Sequence, residues 1–182
     1  MKGIFKNLHR YVLWLVVSFF LWAWIFTLIT NAPAGKKVVL YAGLPAMERE
    51  TLAAALEADM PEHIRYVETW VFSDEMFSPA NIETGDLFIV ATDQVDQYRN
   101  TFGALDGVDF PDRPLFEIDG KPCGVCVYDE EAGIRIGTKY LAYLPGETYY
   151  LFFNANSRHL GAWNGSRDDA ALRAAQTFLT LP

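Results

Sequence analysis

The chain has 182 residues, 51% of them hydrophobic, and 23 acidic against 15 basic residues give it a formal charge of −8. That length allows one ordinary domain. Two cysteines exclude a disulfide-dense scaffold, and 15% aromatics with 21% charged residues exclude wholesale disorder. The acidic balance argues against nucleic acid, whose phosphates such a surface repels.

Tyr11 to Thr30 is a run of 20 residues without a charge, in which only Ser18, Thr27 and Thr30 are polar. At about 1.5 Å per residue it makes a helix roughly 30 Å long, the thickness of a bilayer core. Lys2, Lys6 and Arg10 precede the run, Lys36 and Lys37 follow it, and no acidic residue occurs before Glu48. The positive-inside rule therefore predicts a cytoplasmic segment 1–10, a transmembrane helix 11–30 in contact with lipid, a linker 31–37 and an extracytoplasmic domain 38–182. A cleaved signal peptide competes, because Ala32-Pro33-Ala34 has an A-x-A form. The length of the run and Trp14, Trp22 and Trp24 within it favour an uncleaved anchor in the plasma membrane. Beyond residue 30 stand 12 basic and all 23 acidic residues, a net of −11 for the outer part.

Val38–Ala42 is continuously apolar, as in a strand buried on both faces. Met47–Met60 reads as a helix with Leu52, Ala55 and Leu56 on its apolar stripe, stopped by Pro61. Ile64–Phe72 is β-branched and aromatic, hence a strand, and the shared parity of Tyr66, Trp70 and Phe72 places them on one face, expected in the core. Residues 73–83 read as a loop or short helix. Asp86–Ala91 is another apolar strand, followed by a helix capped by Asp93, with Val95, Tyr98 and Phe102 on one side and Gly103 closing it. Alternating strands and helices predict an α/β domain with a mainly parallel sheet.

After a Pro- and Asp-rich loop, Leu115–Ile118 and Cys123–Tyr128 form a hairpin about Asp119-Gly120, a type I′ turn signal, with Pro122 marking an edge or a bulge. Tyr149–Phe153 is a strong strand. Ser166 with Asp169 has a capping-box spacing, so the last helix starts there, with Leu172, Ala175 and Leu179 facing the sheet.

Chemistry-bearing motifs are few. Cys123-Gly124-Val125-Cys126 has the C-x-x-C spacing of a thiol-disulfide oxidoreductase, but it falls on a strand rather than at a helix N-terminus. In an unbulged strand the two side chains point to opposite faces, so ordinary strand cysteines are expected; a bulge at Gly124 is the route to a local disulfide. Zinc needs further ligands, and His9, His63 and His159 make no partner spacing. Ser157-Arg158-His159 lacks a nucleophile elbow and reads as a polar strand-end turn. The sequence thus predicts no enzyme, no cofactor and no metal site. Ligands of open parallel sheets bind beyond the carboxyl ends of strands, which points to Tyr41, Gly43, Trp70, Ser73, Thr92 and Asp93.

Lys37–Gly43 (KVVLYAG), Gly85–Val90 (GDLFIV), Tyr149–Gly161 (YYLFFNANSRHLG) and the amphipathic Ala170–Leu179 together resemble the extracellular solute-binding proteins of bacterial ABC importers. The resemblance implies a periplasmic-binding-protein-like lobe and a binding or accessory module serving a transporter or sensor in the same membrane. Such receptors have two lobes, whereas this chain has residues for about one. Without a second lobe, closure around a solute within one chain is not expected. The alternative is a membrane-tethered thiol-disulfide oxidoreductase acting through Cys123 and Cys126.

Overall fold

The computed structural model describes residues 2–30, 33–72, 84–105, 110, 113–161, 165–166 and 168–182. The chain divides into two compact units, Met1–Pro33 and Ala34–Pro182. The first is α1, Lys2–Thr30, whose stretch Leu8–Thr27 is long and apolar enough to cross a membrane. Between those residues none of the side chains is buried, as expected of a helix apolar on every side.

The second unit is α/β. Its strands are β1 (Lys37–Ala42), β2 (Ala46–Met47), β3 (Tyr66–Val71), β4 (Leu87–Ala91), β5 (Leu115–Ile118), β6 (Lys121–Asp129), β7 (Ile134–Arg135), β8 (Leu141–Ala142) and β9 (Tyr149–Phe153). Among the described residues its helices are α2 (Arg49–Glu57), α3 (Val95–Tyr98) and α4 (Ala170–Phe178). Seven strands form one sheet in the order β3-β1-β4-β9-β6-β5, with β7 also on β6, while β2 pairs with β8 apart from it.

The sheet is mixed, which corrects the mainly parallel expectation. β1 runs parallel to β3 and β4, but β9, β6, β5 and β7 all join antiparallel. Crossovers link only the first three of these strands, and the rest meet through hairpins or by β9 returning beside β4. The β5–β6 turn has Asp119 at φ 52° and Gly120 at φ 74°, the two left-handed residues that a type I′ turn demands.

Consecutive residues of β1 and β4 enter different cores, which explains their unbroken apolar runs. Val38, Leu40, Leu87 and Ile89 meet Leu52 and Leu56 of α2 and Ala171, Ala175 and Phe178 of α4. Val39, Tyr41, Phe88 and Val90 meet Phe72, Val95, Tyr98, Phe102 and Phe152 on the opposite face. Among Tyr66, Trp70 and Phe72, expected in the core, only Phe72 is buried; Tyr66 and Trp70 are 47% and 41% exposed. β3 is an edge strand, and its inward parity is that of Val67 and Thr69.

Three helix boundaries differ from expectation. α2 begins at Arg49 because Ala46–Met47 pairs with β8 instead. Asp93 does not cap: Thr92–Gln94 is a 3₁₀ turn leading into α3, and a second such turn, Arg99–Thr101, ends the segment before Phe102 bridges to Asn154. Ser166 does not start α4 either. Its hydroxyl accepts from Leu160 N (2.9 Å), and Asp168 Oδ1 takes the Ala170 N–H (3.0 Å) ahead of the helix.

Candidate functional site

The two ends of the sheet hold different chemistry. At the carboxyl ends of the parallel strands, α2 leaves β1 toward one face and α3 follows β4 on the other. The chain therefore parts between the ends of β1 and β4, the arrangement that creates a crevice in open α/β sheets. Gly43 sits there, its N–H donating to Ile89 O (2.9 Å). A Cβ at Gly43 would lie 3.1 Å from Gln94 Oε1 and 3.2 Å from Phe72 Cζ, so both side chains pack closely on this backbone. Gln94 Oε1 is buried and has no hydrogen-bond partner among the described residues.

The sequence-derived candidates distribute around this point. Tyr41 is buried and stacked on Phe88 (centroids 5.8 Å, 17° between planes), with Trp70 as its ladder neighbour on β3. Trp70 lies under the Arg49 guanidinium, 3.8 Å from ring centroid to Cζ, while Arg49 Nε donates to Thr69 O (2.7 Å). Thr92 is turned the other way, its N–H and its hydroxyl both donating to Thr148 O (3.0 Å each). Asp93 is exposed, and Ser73 lies outside the described residues. Tyr41, Gly43 and Trp70 are thus neighbours, and Thr92 is committed to a backbone contact. Sequence reasoning missed Gln94: nothing in a polar residue of a helix's first turn signals that it points inward.

At the other end, where β1 and β4 begin and β9 finishes, lies a network of buried polar groups. Asp86 accepts from Val39 N at Oδ2 (2.9 Å) and from the Ser157 hydroxyl at Oδ1 (2.6 Å). Ser157 Oγ also accepts the His159 backbone N–H (3.1 Å), and Asn154 Nδ2 donates to Gly85 O (2.7 Å). The His159 ring, on a residue only 1% exposed, faces Asp168 Oδ1 through Nδ1 (2.8 Å) and the Ala34 carbonyl through Nε2 (3.1 Å). Asp168 Oδ2 meets His63 Nε2 at 2.9 Å. A cavity of about 570 Å³ opens beside this network, with Gly35, Arg158, His159, Ser166 and Asp168 in its wall.

Burial raises the pKa of Asp86 above the usual carboxylate value, against the opposing pull of its bonds from Ser157 and Val39. For His159, burial acts downward, but the bond to Asp168, the charge of Asp86 and the Ala34 carbonyl outweigh it, and the net shift is upward. For Asp168, burial acts upward, and the Ala170 N–H with the two histidines outweighs it, so the net shift is downward. Ser157 Oγ donates to Asp86, while the His159 ring nitrogens face Asp168 and Ala34, so the hydroxyl proton is directed at a carboxylate. Among the described residues no group of three or more His, Cys, Asp or Glu is placed to hold a metal ion. A polar Asp opening an apolar strand, together with Asn154, Ser157 and His159 in one turn, was the legible trace of this network.

Cys123 and Cys126 are buried on β6 and form no disulfide. The strand is bulged: Phe116 stands opposite Gly124 and Glu117 opposite Pro122, leaving Cys123 as the extra residue. Pro122 marks a bulge, as it was expected to mark an edge or a bulge, and the extra residue is Cys123 rather than Gly124. Burial, helped by the Asp129 charge, pushes the Cys126 thiol up to about 11, the reverse of an activated thiolate. Comparison with family models, with curated proteins and with solved structures finds no match to this chain.

Proposed function

We propose that the protein is a membrane-anchored, extracytoplasmic binding or accessory module, built like one lobe of a solute-binding protein and serving a transporter or sensor in the same membrane. The observation that carries the binding role is Gln94 Oε1, buried beside Gly43 with no partner among the described residues. Leaving a buried acceptor unpaired costs about 1–3 kcal/mol, and a ligand donor placed there would recover it. Phe72 lies against the position and meets Tyr41 edge-on, so the favoured ligand is a small molecule with an N–H or O–H group on an apolar body. The α1 helix, with Lys2, Lys6 and Arg10 ahead of its apolar run, supports the anchored placement.

The test is thermal unfolding of the full chain in detergent against a panel of sugars, amino acids and nucleosides. One class is expected to raise the midpoint in a concentration-dependent way, and Gln94→Leu to abolish that response. A ligand shift that survives Gln94→Leu would remove Gln94 from the site. No response to any class would sink the ligand-binding role, leaving co-purification with a membrane complex to decide the accessory one.

A further inference from the structure

We propose that His159 is a pH-sensitive clasp: its imidazolium pins Ala34, the first residue of the outer domain, to Asp168, and loss of its proton lets Ala34 go. Both ring nitrogens face acceptors, Asp168 Oδ1 at 2.8 Å and the Ala34 carbonyl at 3.1 Å. Neither acceptor has a hydrogen to give. The carbonyl carries none, and the carboxylate already accepts the Ala170 N–H and faces His63 with its other oxygen. Only the doubly protonated ring satisfies both contacts.

A neutral ring keeps one N–H and turns a lone pair on the other acceptor. The bond to a carboxylate is the stronger of the two because it is charge-assisted, so the retained proton stays on Nδ1 toward Asp168. The Ala34 carbonyl then faces a lone pair and is repelled. The charged groups facing the ring are Asp168, from the segment ahead of α4, and Asp86, from the entry to β4 behind the Ser157 hydroxyl. His63, on the turn before β3, reaches it through the far oxygen of Asp168. The balance of these groups holds the proton to higher pH than in a free histidine.

The position gives the clasp its consequence. The boundary between the two compact units falls between Pro33 and Ala34. Ala34–Lys36 is a 3₁₀ turn, and at its end Lys36 O accepts the Arg65 N–H (2.7 Å). Release therefore concerns this turn, ahead of β1. A Cβ on Gly35 would have nothing within 4 Å, and the cavity adjoins it, so the turn has room to move.

The experiment uses the full chain in detergent micelles with isotope-labelled histidine. Side-chain NMR from pH 5 to 10 follows the three rings, and amide exchange of residues 34–37 is referred to the interior of β1 to remove base catalysis. Expected is a His159 ring protonated on both nitrogens at pH 6, and a rise of about tenfold in relative exchange at 34–37 that tracks His159 and not His9 or His63. His159→Gln should exchange at the faster rate at every pH, and His63→Gln should keep the step. A His159 ring neutral at pH 6, protection at 34–37 unchanged through its titration, or a step lost in His63→Gln would overturn the proposal. If His159→Gln does not fold, the wild-type series and His63→Gln still decide it.

Discussion

Asp86 is the residue on which the polar end of the domain turns. Its two oxygens serve Val39 N–H and the Ser157 hydroxyl, both buried. Asp86→Ala removes the carboxylate that two buried donors share, and a loss of about 2–4 kcal/mol is expected in urea unfolding, with little change in the slope. Asp86→Asn keeps one acceptor and should lose less. The pH dependence follows from the directions of the shifts. A raised His159 contributes stability that is whole below 6.5, its unfolded value, and is lost as pH rises through the folded one. Asp86, also raised, has the same sign, its contribution whole below 3.8 and lost upward through its folded value. Asp168, lowered, contributes above 3.8 and loses that contribution as pH falls through its folded value. The unfolding midpoint of the full chain should therefore decline on the alkaline side of 6.5, and His159→Gln should flatten that decline.

Among the elements, β3 and β6 show how side chains settle what backbone pairing leaves open. β3 ends the sheet, yet its outward Val67 N–H is taken by Glu57 Oε1 (2.9 Å) and its Thr69 carbonyl by Arg49 Nε (2.7 Å), both from α2. An edge blocked in this way offers little to another strand. In β6, Gly124 stands opposite Phe152, and a Cβ there would lie 2.6 Å from Phe152 Cε1. That ring has little freedom to give way, since it stacks on Phe102 at 4.2 Å and meets Phe116 edge-on at 5.8 Å. Gly124→Ala should thus destabilise by about 1–3 kcal/mol, seen as a lower thermal midpoint. The β5–β6 hairpin was legible because Asp119-Gly120 writes its turn locally. The pairing of β6 with β9 was not, since both strands are apolar enough to fit several neighbours.

At the scale of the molecule, both core clusters draw, among the described residues, on Val38 and residues after it. Residues 34–182 are therefore expected to unfold cooperatively without α1, with a midpoint within a few degrees of the full chain in detergent. A non-cooperative transition of that fragment would show that α1 takes part in the core. The acidic excess of the chain belongs wholly to this unit, whereas α1 carries three basic residues and no acidic ones.

The apolar helix, the strands buried on both faces and the hairpin turn were fixed by the amino-acid sequence alone. Each depends on composition or periodicity over a few residues, where neighbours in the chain are neighbours in space. Tertiary structure decided the rest. It set β9 antiparallel beside β4 and so made the sheet mixed. It turned Gln94 inward beside Gly43, and it brought Ser157 to Asp86 across 71 positions and His159 to Ala34 across 125. A short polar side chain reads alike in a solvated turn and in a buried network. Only the segments that fold against it determine whether it meets water, a carboxylate or a carbonyl.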